Sequence, residues 1–127
     1  MDNSHLKKVL IVEDEKVLAD ALELKFKREG YEVLKGENGE EGLKLAIEHT
    51  PDIILMDLSM PVMDGKTLLG KLRELEHFAN LPVIVLTNSS NVDTMNEIKS
   101  HYGVSDFLIK ASVTPEEIVT KVKNILK

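Results

Sequence analysis

The sequence contains no cysteine. That excludes a disulfide framework and a thiolate metal site, and it fits a reducing compartment. No apolar run approaches the roughly 20 residues of a membrane-spanning helix. Met1 to Lys8 is polar and lacks the apolar stretch of a secretory signal. No block of lysine or arginine stands out: basic residues are scattered among acids, and the formal net charge is −6. Nucleic-acid binding needs a basic face, so no nucleic-acid partner is expected, and no membrane-surface role for the same reason. Linkers, internal repeats and low-complexity tracts are also missing. These absences point to a soluble, cytoplasmic protein.

What remains is 127 residues, 43% of them apolar, enough for one domain over residues 1–127 with a core that needs no staples. Four short apolar runs each end in a polar residue. Val9-Leu10-Ile11-Val12 runs into Glu13-Asp14, Ile53-Ile54-Leu55-Met56 into Asp57, Val83-Ile84-Val85-Leu86 into Thr87, and Phe107-Leu108-Ile109 into Lys110. Such runs, separated by helical patterns, read as buried parallel strands. Function in an open α/β sheet gathers at the carboxyl ends of its strands. Three carboxylates, one hydroxyl and one ammonium should therefore meet at one sheet edge.

The order reads as five strand–helix pairs. Strands are expected near residues 8–12, 31–35, 52–56 and 105–109, with a fourth that Pro82 opens and that runs into Thr87. The second is the most polar and suits an edge. The first helix, about 15–29, turns Leu18, Ala21, Leu22 and Phe26 inward, and Gly30 stops it. The second starts near Asn38 with Glu41 as capping-box partner, and turns Leu43, Ala46 and Ile47 inward. The third starts at Asp64 and uses Leu68, Leu69, Leu72 and Leu75. The fourth, about 92–101, carries a thin stripe of Val92, Met95 and Ile98. The fifth opens on Thr114, Pro115 and Glu117, with no second domain expected beyond it. The whole is a (βα)5 doubly wound, five-stranded parallel sheet of α/β class.

Glu13-Asp14, the segment Asp57-Leu-Ser-Met-Pro-Val-Met-Asp-Gly65, Thr87 and Lys110 closely resemble the response-regulator receiver domain, in order and spacing, over essentially the whole chain. The resemblance implies a CheY-like, flavodoxin-like sheet of order 2-1-3-4-5. It implies a phosphoacceptor at Asp57, with Thr87 and Lys110 completing the reacting site and Mg²⁺ as cofactor. Asp14, Asp57 and the Ser59 carbonyl would hold the metal, with Glu13 orienting a metal-bound water. It also implies a switch in which Thr87 couples to rotation of an aromatic residue, here Phe107. The phosphodonor would be a histidine kinase or phosphotransfer protein. A downstream protein would read the face of the fourth helix, fifth strand and fifth helix, which could also pair with a second copy of the chain.

Physical chemistry supports the same residues. Carboxylates 4 Å apart repel by about 4 kcal/mol at an effective dielectric near 20, and a divalent cation relieves that. All-oxygen ligands in an incomplete cage suit Mg²⁺. Phosphoryl transfer needs mostly positioning and charge neutralisation, which a metal and an ammonium supply. Taken singly the residues are ordinary: a strand-end Asp is commonly a turn or cap residue, and Lys110 a solvated terminus. Asp64-Gly65 reads as the turn into the third helix, and the four histidines as surface residues. One departure stands out. The family usually has proline after the strand-five lysine, with a cis bond. Ala111 leaves that bond trans or strained, since a cis bond there costs about 3–4 kcal/mol. Two other classes compete: an aspartyl-nucleophile phosphohydrolase and a flavodoxin-like cofactor carrier. Ser59 replaces the second aspartate the first would need, and Glu13-Asp14-Glu15 would repel the phosphate of the second.

Overall fold

The computed structural model describes residues 6–88 and 92–127, apart from the side chain of Val92. The strands are β1 (Lys8–Val12), β2 (Glu32–Gly36), β3 (Ile53–Asp57), β4 (Val83–Thr87) and β5 (Asp106–Ile109). The helices are α1 (Lys16–Arg28), α2 (Gly39–His49), α3 (Gly65–Glu74), α4 (Val92–Tyr102) and α5 (Pro115–Ile125). All strands are parallel, in the order β2-β1-β3-β4-β5. Short 3-10 turns at Glu76–Phe78 and Lys110–Ser112 are additional to the sequence expectation.

Strand side chains alternate between faces, and the sheet sorts them into two cores. Val9, Ile11, Ile53, Leu55, Ile84, Leu86 and Leu108 pack with Leu22 and Phe26 of α1 and Ile118, Val119 and Val122 of α5. Leu10, Val12, Ile54, Met56, Val83, Val85 and Phe107 pack with Ala46 of α2, three leucines of α3 and Ile98 of α4. Strands covered on both faces read as continuous apolar runs, as β1, β3 and β4 do.

The helix signals act as expected in most places. Asp64 Oδ1 accepts the Thr67 N–H at 2.8 Å, and Thr114 with Glu117 forms a complete capping box ahead of Pro115. Gly30, with φ 90°, ends α1. At α2, Asn38 caps Glu41, but the Glu41 carboxylate accepts from the Glu37 N–H instead of from Asn38. The inner face of α2 differs at one place: Ala46 is buried as expected, but Ile47 is 53% exposed, and Gly39 and Gly42 are buried instead. Small residues form this face because α2 lies close on the sheet, where a Cβ on Gly42 would meet Val12 at 2.7 Å. Leu75 is the C-cap of α3, in extended conformation, and lies half out of the core.

One feature had no signal in the apolar pattern. The Arg73 guanidinium of α3 donates to the carbonyls of Tyr102 (2.7 Å), Phe78 (2.8 Å) and Gly103 (3.3 Å). It pins the carboxyl end of α4, a position that also favours a cation.

Two helix starts rest on close backbone approach. The Gly39 N–H donates to Met63 O at 3.0 Å, and a Cβ on Gly39 would lie 2.3 Å from that oxygen. We expect Gly39→Ala to cost about 1–3 kcal/mol by overpacking. Gly70→Ala, inside α3 and no nearer than 3.7 Å to Tyr102, should gain about 0.5–1 kcal/mol. Urea unfolding of the pair checks both signs; an unaltered Gly39→Ala midpoint would contradict the contact.

Candidate phosphoryl-transfer site

Asp57 is the last residue of β3 and only 5% exposed. Its Oδ1 accepts the Ser59 N–H at 3.1 Å, and its Oδ2 lies 2.9 Å from Lys110 Nζ. The loop after Asp57 closes on itself through Gly65 N–H to Leu58 O, 3.0 Å. Gly65 is required there: a Cβ would lie 2.3 Å from the Asp57 carbonyl. The turn into α3 therefore helps to position the carboxylate, which the sequence reading did not assign to it.

Glu13 follows β1, and its N–H extends the ladder to Gly36 O at 3.0 Å. Its side chain is buried, with Oε2 accepting from the Glu15 N–H at 3.0 Å and from Lys110 Nζ at 3.0 Å. Oε1 is 2.8 Å from the same ammonium but has no aligned hydrogen bond. Glu15 adds a third carboxylate 3.6 Å from Lys110, a contact flagged only by the Glu-Asp-Glu run. Asp14 projects outward, yet Glu13, Asp14 and Asp57 each offer an oxygen within 4.8 Å of the others.

Lys110 is not a solvated strand terminus. Its side chain is 8% exposed. Neighbouring strands are roughly 4.8 Å apart, so it crosses the end of β4 to reach Asp57 from β5. Lys110–Ser112 forms a 3-10 turn, and no peptide bond among the described residues is cis, so the bond to Ala111 is trans. Thr87 ends β4, buried, on the same strand face as Val85, which registers with Phe107. Phe107 itself is turned inward, with Lys99 Nζ 5.9 Å from its ring centroid. Ser59 is exposed. His49, His77 and His101 lie at or near the surface, and His5 lies outside the described residues, as do residues 89–91 of the loop before α4.

Burial pushes the Glu13 carboxyl up to about 7. The Lys110 and Glu15 hydrogen bonds pull the other way, and the nearby Asp57 charge adds to the rise. Burial alone would pull the Lys110 ammonium down, but hydrogen bonds to Asp57 and Glu13 outweigh it and hold it above the usual range. The clustered carboxylates of Glu13, Asp14 and Asp57 outnumber the single ammonium. A divalent cation fits this donor set: oxygen only, one exposed carboxylate, and one buried oxygen lacking an aligned donor.

This fold with this strand-end cluster defines a receiver domain, the phosphoaccepting module of two-component signalling and not a conventional enzyme. The chain belongs to the response regulator receiver domain family, which it matches over residues 9–123. It is 35% identical over 120 residues to the transcriptional regulatory protein PrrA of Mycobacterium tuberculosis, covering 94% of this chain and 50% of that protein. The PrrA of Mycobacterium bovis matches equally. The chain thus spans about half the length of these curated relatives. Its fold superposes on the chemotaxis protein CheY4 of Vibrio cholerae with a TM-score of 0.86, at 27% identity, covering 94% of this chain and 98% of that one. TrrA of Thermotoga maritima, solved in complex with Mg²⁺ and BeF, gives 0.78 at 29% identity, with coverage of 94% and 98%. Family membership sets aside the phosphohydrolase and flavodoxin-like readings.

The raised Glu13 carboxyl has a consequence for stability. Between its ordinary 4.5 and about 7, the folded protein binds more protons than the unfolded chain. Metal-free stability must then fall as pH rises through that window. In chelator, the melting temperature should decline from about pH 5 to about pH 7.5, and Glu13→Gln should flatten the decline. Identical pH slopes in the two proteins would show that Glu13 does not carry it.

Proposed function

We propose that Asp57 accepts a phosphoryl group from the phosphohistidine of a histidine kinase or phosphotransfer protein. An Asp57 carboxylate oxygen forms a bond to phosphorus as the phosphorus–nitrogen bond breaks, and the electron pair returns to the imidazole. The observation that carries this reading is the buried Asp57 carboxylate with an ammonium at 2.9 Å, set in an acidic cluster. Lys110 offers positive charge to the incoming phosphoryl oxygens, and the Thr87 hydroxyl can donate to one of them. Asp14, Asp57 and the Ser59 carbonyl would hold Mg²⁺, with Glu13 acting through a bound water. When bound, the metal supplies charge neutralisation for the transferring group. These groups lie on one chain, so the domain assists its own phosphorylation and dephosphorylation.

The output follows from what phosphate would pull. Thr87 drawn toward the phosphoryl group frees space for the Phe107 ring. The face of α4, β5 and α5 then changes, and a downstream protein or a second copy of the chain binds it in the cytoplasm. Among its described side chains, α4 fully buries only Ile98, against three leucines from α3. At about 1.5–3 kcal/mol per buried side chain, α4 is held far more weakly.

Acetyl phosphate with Mg²⁺ should add one phosphoryl group to the isolated chain by intact-mass spectrometry. Asp57→Asn or chelator should abolish it. Labelling that survives either treatment would overturn the assignment.

Beryllofluoride with Mg²⁺ should shift amide NMR signals through residues 92–110 as well as around Asp57. Shifts confined to the Asp57 pocket would refute the switch.

A further inference from the structure

Two described non-glycine residues have a positive φ: Thr50, which caps the end of α2, and Val62, which no helix end accounts for. The φ of Val62 is 69°, in the left-handed region, where a β-branched residue is a genuine outlier. Met63 N–H donates to Pro61 O at 2.7 Å, closing a three-residue γ-turn around Val62. Turns of this positive-φ kind are rare and strained. Fixed groups impose the reversal. Met60 and Met63 on either side both pack against the core beneath α2 and α3, and Met63 O is tied to the Gly39 N–H. The fold therefore needs the turn, but it does not need valine. Glycine or asparagine would adopt the same φ at lower cost. The Val62 side chain contributes no packing in return, since it is 75% exposed.

The position matters. Val62 lies three residues beyond Ser59, whose N–H holds the Asp57 carboxylate, in the loop closed by Leu58 and Gly65. A strained residue kept at such a site argues for a role outside folding. The chemistry offered is an apolar methyl pair held rigidly outward beside an acidic pocket. A small acyl phosphate such as acetyl phosphate carries only a methyl, too little surface to bury this side chain while its phosphate sits at Asp57. A protein that delivers its phosphohistidine into the pocket must bring surface against this loop.

Resting on the reading of Asp57 as phosphoacceptor, we infer that Val62 is a specificity residue for the protein phosphodonor, buried against an apolar patch beside the donor's histidine. It touches neither the phosphoryl group nor the metal. Losing one buried valine contact corresponds to a rate loss on the order of tenfold if the contact forms in the transfer complex.

The test compares two donors. One is acetyl phosphate with Mg²⁺. The other is the autophosphorylated histidine kinase that labels the unaltered chain fastest in a profile of its host's kinases. Val62→Asn and Val62→Gly should melt several degrees higher than the unaltered protein and label at its rate with acetyl phosphate. Both should accept phosphate from the kinase about tenfold more slowly. Val62→Ile keeps the apolar group and should keep the kinase rate within about twofold. Equal kinase rates in Val62→Asn and the unaltered chain would overturn the inference. So would an equal slowing with both donors, which would make Val62 a loop-positioning residue. Absence of labelling at Asp57 by either donor would instead overturn the phosphoacceptor reading.

Discussion

Everything at the strand ends depends on one ammonium placed between two buried carboxylates. Lys110 Nζ lies within 3.0 Å of both Glu13 and Asp57, and all three side chains are nearly inaccessible. Removing one partner of a buried ion pair leaves an uncompensated charge, which is costly. The sheet order is what makes the arrangement possible. Glu13 and Asp57 come from the adjacent strands β1 and β3, so they cannot avoid each other. The cation must arrive from elsewhere, and it comes across β4 from β5. The apolar strands beneath tolerate this conflict. Each fully buried valine, leucine or isoleucine of the two cores is worth about 1.5–3 kcal/mol. Together they outweigh a repulsion of about 4 kcal/mol per carboxylate pair. The site is thus a locally unfavourable cluster held open by a strongly favourable scaffold.

The period of two along each strand turns Asp57 and Thr87 toward different cores. Asp57 continues the face of Ile53 and Leu55, toward the core of α1 and α5. Thr87 continues the face of Val83 and Val85, toward the core of α3 and α4, where Phe107 also packs. A side chain that senses the phosphoryl group from Thr87's position therefore already belongs to the half of the molecule that carries α4. No long relay is needed between them.

The fold was largely legible because its strands are buried on both faces. Continuous β-branched runs such as Val9–Val12 and Val83–Leu86 admit few other readings, and the polar residue closing each run marks the functional edge. Cap chemistry at Asp64, Asn38 and Thr114 located three helix starts. The inner face of α2 was misread at Ile47 because counting apolar residues passes over glycine. Gly39 and Gly42 make that face by being small, which only the distance between helix and strand reveals. The burial of Lys110 was equally hidden. A lysine after a short strand carries no sign of whether its stem runs outward or back across the sheet. Arg73 is a third case. Its partners are backbone carbonyls from Phe78, Tyr102 and Gly103, and carbonyls have no sequence signature.

The attachments of α4 are uneven, and that bears on how such a domain can switch. Its carboxyl end is pinned by two hydrogen bonds from Arg73, to the Tyr102 and Gly103 carbonyls, and the same half-buried guanidinium also donates to Phe78 O. Hydrogen bonds to charged groups contribute about 1.5–3 kcal/mol each. Farther toward the amino end, the described ties include buried Ile98, partly buried Met95 and an exposed Lys66–Glu97 ion pair at 2.8 Å. An exposed pair is worth about 0–1 kcal/mol. A rearrangement of α4 that keeps the Tyr102–Gly103 end in place retains the Arg73 hydrogen bonds. A conformational equilibrium can be shifted only by as much as a ligand's differential affinity for its two states, about 5.5 kcal/mol for a complete reversal from 1:99 to 99:1. A rearrangement that spares the Arg73 hydrogen bonds lowers the difference that charge-assisted hydrogen bonds at the strand ends must supply.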